Sequence, residues 1–392
     1  MRHLIFTEEF CQPENFYPLT LTRQIQDLRV GILTIREKWE RWLKISSFDK
    51  MQDNYKDHDK SIRLNKIEAN DTWYLVHSNL LPSSLLVAAI AKLKKGDCLV
   101  NPQNAPLVYC IGAQQLDKKK SIKIERTVTF LHPVIQLQSA WDLLQWNDWS
   151  IREDFKLLTK GRKTAALAKT NQCSKPANLF IEKGATVSCC IINASEGPVY
   201  IAKGATVMEG SLLRGPLAIG INATVKMGTK IYGATSIGPS CTVGGEIKNS
   251  ILLGYSNKAH DGYLGDSVIG EWCNLGAGTS NSNIKNNAGP VRVQLPSGEK
   301  ELGIKAGTLM GDYVRTSINT SINTGTIIGT GAVLFQAGLT PRFIPPFSWG
   351  EEGVTRYKWE KLVRDIERWK NLKGESLTAQ ELKTMEWVYN NA

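Results

Sequence analysis

IAKGATVMEGSLLRGPLAIGINATVKMGTKIYGATSIGPSCTV, residues 201–243, sets Ile201, Val207, Leu213, Ile219, Val225, Ile231, Ile237 and Val243 on an unbroken step of six. An α-helix repeats every 3.6 residues and a strand every two, so neither produces this ladder. A fixed six-residue step marks a parallel β-helix of hexapeptide repeats. Three steps close one triangular coil. Each aliphatic side chain should then point inward and stack on the one eighteen positions later.

Outward from this stretch, the pattern begins near Ile181 and Val187, lapses at 193–198, and falters again at 249–262. It resumes with Tyr263, Ile269 and Leu275, and a last run takes Met310, Thr316, Ile322, Ile328 and Leu334. Between these, 284–306 is a polar insertion in which Val291-Arg292-Val293 and Gly298-Glu299 predict a hairpin. Gly204, Gly215, Gly228, Gly233 and Gly245 suit corners that need positive φ. Trp359, Leu362, Ile366 and Trp369, at helical spacing, predict a helical tail.

Ahead of the repeats, apolar segments at 3–6, 73–76 and 97–100 read as strands, and 28–43 and 80–93 as helices, giving a layered α/β arrangement. The expected organisation is an α/β domain at 1–136, a helical connector at 137–175, a β-helix at 176–350 and a helical tail at 351–392.

The 42% hydrophobic and 22% charged content is that of a globular protein, and no apolar run is long enough to cross a membrane. MRHLIFTEEF lacks the apolar core of a signal peptide. The eight cysteines form no CxxC pair, which predicts reduced thiols in a cytoplasmic protein. A net charge of +11 favours anionic partners. The lysines are dispersed and no nucleic-acid motif is present, so phosphorylated small molecules and acyl-CoA are the expected partners.

His260, one of five histidines, falls where the six-residue frame breaks. An imidazole on an irregular excursion from a rigid scaffold suits a general base, with Asp261 or Asp266 to orient it. A surface-loop histidine with no role fits the residues equally well. Lys230 and Lys248 are eighteen positions apart and should stack on successive coils, about 4.8 Å apart. Two ammonium groups at that spacing either clamp an anion or splay into solvent.

The stretch AHDGYLGDSVIGEWCNLGAGT, residues 259–279, closely resembles the acetyltransferase half of the bacterial bifunctional N-acetylglucosamine-1-phosphate uridyltransferases. That family's pattern reads H-x-x-Y-x-G-D-x-x-I-G-x-x-x-N-x-G-A-G-T. The resemblance implies a left-handed β-helix that trimerises, with His260 deprotonating the amine of an amino-sugar phosphate before it attacks an acyl thioester. It implies that Tyr263, Asn274 and Asn283 contact the sugar or place the acyl group, and that Lys230 and Lys248 surround the sugar phosphate. It also implies that the backbone of Ala277 faces acetyl-CoA or another acyl-CoA co-substrate. Asp312, in Met310-Gly311-Asp312, falls where the family places a small residue contacting CoA, and a carboxylate there would repel the anionic cofactor.

Residues 16–23, FYPLTLTR, and Trp141-Asp142-Leu143 resemble the sugar nucleotidyltransferase domain that precedes such β-helices. The glycine-rich phosphate loop of that domain is replaced here by Thr7-Glu8-Glu9. Arg23, Arg29 and Lys38 are candidate phosphate ligands, although Arg36 and Lys38 also read as solvated on a helix face. Asn79 is the nearest candidate to a Mg²⁺ ligand, and Mg²⁺ is implied only if this domain is active. Three functions stay open. One is acyl transfer to an amino-sugar phosphate, with or without sugar nucleotidyl transfer. The others are nucleotidyl transfer with a purely structural β-helix, and a non-catalytic protein that binds nucleotide sugars.

Overall fold

A computed structural model describes residues 1–64, 68, 70–116, 122–335, 337–350 and 355–392. The ladder of 201–243 winds as expected. Ile201 pairs with Ile219 and Ile219 with Ile237, while Val207 pairs with Val225 and Val225 with Val243. Leu213 pairs with Ile231. All eight are at most 2% exposed. Burying a side chain of this kind contributes about 1.5–3 kcal/mol, so the column is a continuous source of stability.

Among the described residues, three sheets of stacked short strands form the coils of a parallel β-helix. The first face has six strands, from Gln172–Ser174 to Tyr263–Gly265. The second has nine, from Leu179–Ile181 to Phe343–Ile344. The third has ten, from Thr186–Val187 to Thr355–Arg356, the last of them antiparallel to its neighbour. The predicted final run holds, with Met310 paired to Ile328 and Thr316 to Leu334. The insertion carries the expected hairpin, Arg292–Leu295 against Gly298–Glu301.

Two details of register depart from the sequence reading. Ile231 pairs with Ile247, sixteen positions on, because the corner at Gly244-Gly245 is two residues short. Glycine is required there: a Cβ on Gly244 would lie 2.3 Å from the Ala259 carbonyl oxygen, and Gly245 has φ +76°. Further along, Ile247 pairs with Leu264, so Leu264 is the inward residue and Tyr263 points outward. Gly215 does not take positive φ as expected; a Cβ there would come within 2.2 Å of the Gly197 carbonyl oxygen.

The described residues divide into two compact units. The first comprises Met1–Pro13, Arg23–Leu28 and Leu33–Ser139. Its mixed sheet runs in the order Arg126–Thr129, Asp97–Val100, Pro106–Ile111, Thr72–His77, Arg2–Thr7, Ser47–Lys50, Ser61–Ile62. The last four strands are parallel, and Ile5, Trp73, Leu75, Val100 and Ile111 lie in the core on one side. The predicted helix at 28–43 is shorter, Ile35–Leu43, and starts at a capping box between Thr34 and Glu37. The helix expected at 80–93 is Ser84–Ile90, capped by Ser83; Leu80–Leu81 before it is a strand.

The second unit comprises Glu14–Thr22, Arg29–Ile32 and Ala140–Ala392. It holds the β-helix, the connector helices Asp142–Gln145 and Asn147–Thr159, and the tail helices Trp359–Asn371 and Ala379–Asn391. Residues 351–354 of the expected tail lie outside the described residues.

Candidate functional site

Alternate residues of the first face point outward. In successive strands these are Ile191 and Asn193, Leu212 and Arg214, Lys230 and Tyr232, Glu246 and Lys248, and Tyr263 and Gly265. The short corner moves Lys248 beside Tyr232 and sets Glu246 beside Lys230. The two lysines are therefore diagonal neighbours, not the stacked pair expected from a spacing of eighteen. Tyr232 donates its hydroxyl to the Glu246 carboxylate at 2.7 Å. Among the described residues neither Lys230 nor Lys248 forms an ion pair, so both ammonium groups are open to an anion.

One coil further, Asn283 donates from Nδ2 to the Tyr263 hydroxyl at 3.2 Å. The same amide donates to Asp266, which also accepts from Asn249 at 2.6 Å. Burial, with Asp266 nearby, pushes the Tyr263 phenol up to about 12. Lys230, Lys248, Tyr263 and Asn283 thus gather along one outer face.

His260 sits at the corner where strand Asn257–Lys258 of the third face turns into Tyr263–Gly265 of the first, and it is exposed. The corners stack: Gly278 donates its N–H to the Asp261 carbonyl at 3.0 Å, and Asn319 to the Ala277 carbonyl at 2.6 Å. Ala277 therefore lies one coil from His260 on the same edge. Among the described residues no carboxylate pairs with the His260 imidazole; Asp261 is exposed and Asp266 is held by the two asparagines.

The group that does hold this corner is one the sequence reading missed. Lys258 occupies an inward position, paired with Val243, and is 1% exposed. Its ammonium donates to the backbone carbonyls of His260 at 2.6 Å and Asp261 at 3.3 Å. Burial lowers its pKa to about 8, with the Asp261 charge acting the other way. The step of eighteen hid it: that spacing puts the inward position after Val243 at 261, whereas the shortened coil places it at 258.

Asn274 lies on the third face between Asn257 and Arg315. Both neighbours are engaged by the tail. Lys373 donates to Asn257 at 3.0 Å, and Arg315 donates to the Asp365 carbonyl at 3.4 Å under the Trp369 ring. The tail is thus a second element bordering this edge. Asp312 does not present a free carboxylate to a cofactor, contrary to expectation. It is 3% exposed and accepts the Glu271 N–H at 2.7 Å and the Thr22 hydroxyl.

In the first unit, Glu8 stands after the first strand, where a phosphate loop would be. It is buried, accepts the Ile25 N–H at 2.8 Å and lies 3.6 Å from Lys56. Arg36 and Lys38 are not solvated; both are buried. Arg36 forms ion pairs with Asp27 at 2.6 Å and Asp49 at 2.8 Å, and Asp49 lies 2.8 Å from His58. Although burial alone would raise it, the contacts from His58 and Arg36 hold the Asp49 carboxyl below its ordinary value. Arg29 belongs to the second unit, where its guanidinium donates to the carbonyls of Leu253, at 3.2 Å, and Ile32. Arg23 remains half-buried in the first unit.

Asn79 is buried, donating to the Leu137 carbonyl at 2.7 Å and accepting from Gln136 at 3.2 Å. Among the described residues no group of three or more His, Cys, Asp or Glu side chains is placed to hold a metal. Asn79, held by its contacts with Leu137 and Gln136, belongs to no such group. His77, at the carboxyl end of strand Thr72–His77, was also missed. It is buried, among the described residues has no hydrogen-bond partner for either ring nitrogen, stacks on Phe10 at 4.8 Å, and has its pKa lowered by burial to about 4.

Residues 4–163 match the family model described as sugar nucleotidyl transferase. The chain is 34% identical over 118 residues to the bifunctional protein GlmU of Methanocaldococcus jannaschii, covering 30% of this chain and 28% of that one. It is 35% identical over 102 residues to the bifunctional sugar-1-phosphate nucleotidylyltransferase/acetyltransferase of Sulfurisphaera tokodaii, covering 25% and 24%. The matches thus span less than a third of these relatives. The solved UDP-N-acetylglucosamine acyltransferase of Francisella novicida covers 59% of this chain and 86% of its own at 14% identity, with a TM-score of 0.26, a likeness too slight to carry an argument. Residues 4–163 are thus similar to sugar nucleotidyl transferases and precede a β-helix of six-residue repeats, and over 30% of its length the chain is similar to a bifunctional GlmU protein.

Proposed function

We propose that the β-helix transfers an acyl group, with acetyl-CoA as the first donor to test, to the amine of a phosphorylated amino sugar. The observation that carries this reading is the shared edge: His260 is exposed at the corner that opens onto the face bearing Lys230, Lys248 and Tyr263, with Ala277 one coil away. Lys230 and Lys248 hold the phosphate, and Tyr263 and Asn283 hold the sugar. Asn274, on the tail-covered side, places the acyl group.

The neutral His260 imidazole takes a proton from the amine as the N–C bond forms at the thioester carbonyl. The C–S bond then breaks, and the CoA thiolate takes the proton back from the imidazolium, regenerating the base. Juxtaposing amine and thioester supplies most of the acceleration. A homotrimer, in which a neighbouring copy walls the open face, completes a closed site in a cytoplasmic enzyme. Residues 4–163 would bind, and in an active form make, the nucleotide sugar, with Arg23 a candidate phosphate ligand.

Free CoA thiol released in the presence of glucosamine 1-phosphate and acetyl-CoA tests the reading. The His260→Ala variant should lose at least a hundredfold in kcat. A variant that releases CoA at the wild-type rate rules out His260 as the base. If pyrophosphate release from a nucleoside triphosphate is then the only turnover, the β-helix is structural.

A further inference from the structure

A cavity of about 500 Å³ opens on the first face, on the side of Lys230 away from His260. It runs from Glu246 and Lys230 across Leu212 and Arg214 to Ile191 and Asn193. From Tyr263 to Ile191 the face crosses four strand steps, roughly 19 Å at the usual spacing. A hexose monophosphate anchored at Lys230 and Lys248 leaves the lower part of this groove empty.

The lower part has a distinct chemistry. Arg214 follows Leu213, the partner of Ile231, and so continues the outward column of Tyr232 and Lys248, adding a third cation to the face. Its only ion pair among the described residues is with Glu196, at 3.4 Å, and both side chains are more than half exposed. Such a pair is weak and readily exchanged for a phosphate. Next to it, the paired neighbours Leu212 and Ile191 are 45% and 50% exposed and form one apolar shelf. Asn193 supplies an amide beside them. Cations followed by an apolar shelf with one amide match a diphosphate followed by a base.

We propose that the acceptor is a nucleoside diphosphate amino sugar. Lys230, Lys248 and Arg214 hold its two phosphates, Leu212 and Ile191 pack the base, and the sugar amine lies toward His260. Glu246, fixed by Tyr232, accepts a sugar hydroxyl. The inference rests on the acyl-transfer reading and sets the order of reactions. A nucleotidyl transfer must come first, in which a sugar 1-phosphate oxygen bonds the α-phosphorus of a nucleoside triphosphate and pyrophosphate leaves. N-acylation then follows on the product. The domain matched over residues 4–163 belongs to the class of enzyme that makes such a substrate.

Two measurements on the full chain test it. The first compares kcat/KM for glucosamine 1-phosphate with that for the uridine and thymidine diphosphate glucosamines, using acetyl-CoA as donor. At least one nucleotide sugar should be preferred tenfold or more, and Arg214→Ala and Leu212→Glu should each cut that ratio at least tenfold. Equal use of the monophosphate, a ratio that neither substitution changes, or a preference for long-chain acyl-CoA abolished by Leu212→Glu would each overturn the proposal. The second labels the chain with 5-azido-uridine diphosphate glucosamine and maps the adducts by peptide mass spectrometry. Label in peptides containing Ile191 or Leu212 supports the groove even where no acceptor is turned over, an outcome that would defeat only the acyl-transfer reading. Label confined to residues 1–139 overturns the groove itself.

Discussion

Lys258 donates its ammonium to the carbonyl oxygen of His260 at 2.6 Å from inside the β-helix. The corner that exposes the imidazole is therefore pinned by a charge buried in the inward column, between Val243 and the coil of Leu275. Removing a buried charge in favour of a matched apolar side chain is commonly neutral or stabilising by about 1–4 kcal/mol. Lys258→Met should accordingly keep or raise the melting temperature. The same change frees the carbonyls of His260 and Asp261, and a misplaced base loses rate, by about a hundredfold for a shift near 1 Å. Calorimetry and kcat should thus move in opposite directions. A fall in both would mean that Lys258 serves only to hold the fold together.

The same lysine gives the stability a pH signature. Its folded pKa is about 8, against an ordinary lysine value of 10.5. Between those values the unfolded chain keeps a proton that the folded chain has released, so raising pH favours folding. The cost of the buried charge is fully present below pH 8 and relieved as pH approaches 10.5. It is on the order of 3 kcal/mol. Urea unfolding followed from pH 7.5 to 10 should show that rise in the wild type and a flatter profile in Lys258→Met. Parallel profiles would refute the assignment.

How far the fold was legible depends on where the six-residue step survived. Eight consecutive aliphatic residues fixed the inward column because a triangular coil admits nothing else at that period. The register past Val243 was not legible. A shortened corner leaves no mark except Gly244-Gly245, and glycine pairs also occur at full-length corners. That omission moved Lys248 from beside Lys230 to beside Tyr232, and one residue fewer before Leu252 then put Lys258 and Leu264 inward. The candidate site was visible because it follows a spaced motif, 259–279. Lys258 lay one residue outside it and looked like solvent-facing charge. In the first unit, Arg36 read as exposed because its partners Asp27, Asp49 and His58 come from separate segments.

That cluster makes its own prediction. Asp49 is 1% exposed and balances Arg36 and His58. Removing one partner of a buried pair strands the other and costs about 3–5 kcal/mol. Asp49→Ala should therefore unfold the first unit early, seen as loss of hydrogen-exchange protection in strand Arg2–Thr7 while the β-helix strands stay protected. The Asp49 contact raises the His58 pKa, although burial opposes it. This contribution is complete below the unfolded histidine value and is lost as pH rises through the folded one. The first unit should lose stability as pH rises past neutrality, and His58→Ala should abolish that slope. An unchanged slope would show that His58 is not the group responsible.

Asp312 separates a structural from a cofactor-facing carboxylate. It accepts the Glu271 N–H at 2.7 Å and the Thr22 hydroxyl and is nearly inaccessible. Its charge is therefore not presented to an anionic donor, and its loss leaves a buried N–H without an acceptor, at a cost of about 1–3 kcal/mol. Asp312→Ala should lower the unfolding free energy by that amount and leave KM for acetyl-CoA within about twofold. Asp312→Asn, which keeps an acceptor oxygen and removes the charge, should recover most of the stability. A marked fall in KM for acetyl-CoA in either variant would mean that the carboxylate does face the donor and repels it. The packing of Thr22 and Glu271 around Asp312 argues for the first outcome, because these polar contacts engage the side chain within the fold.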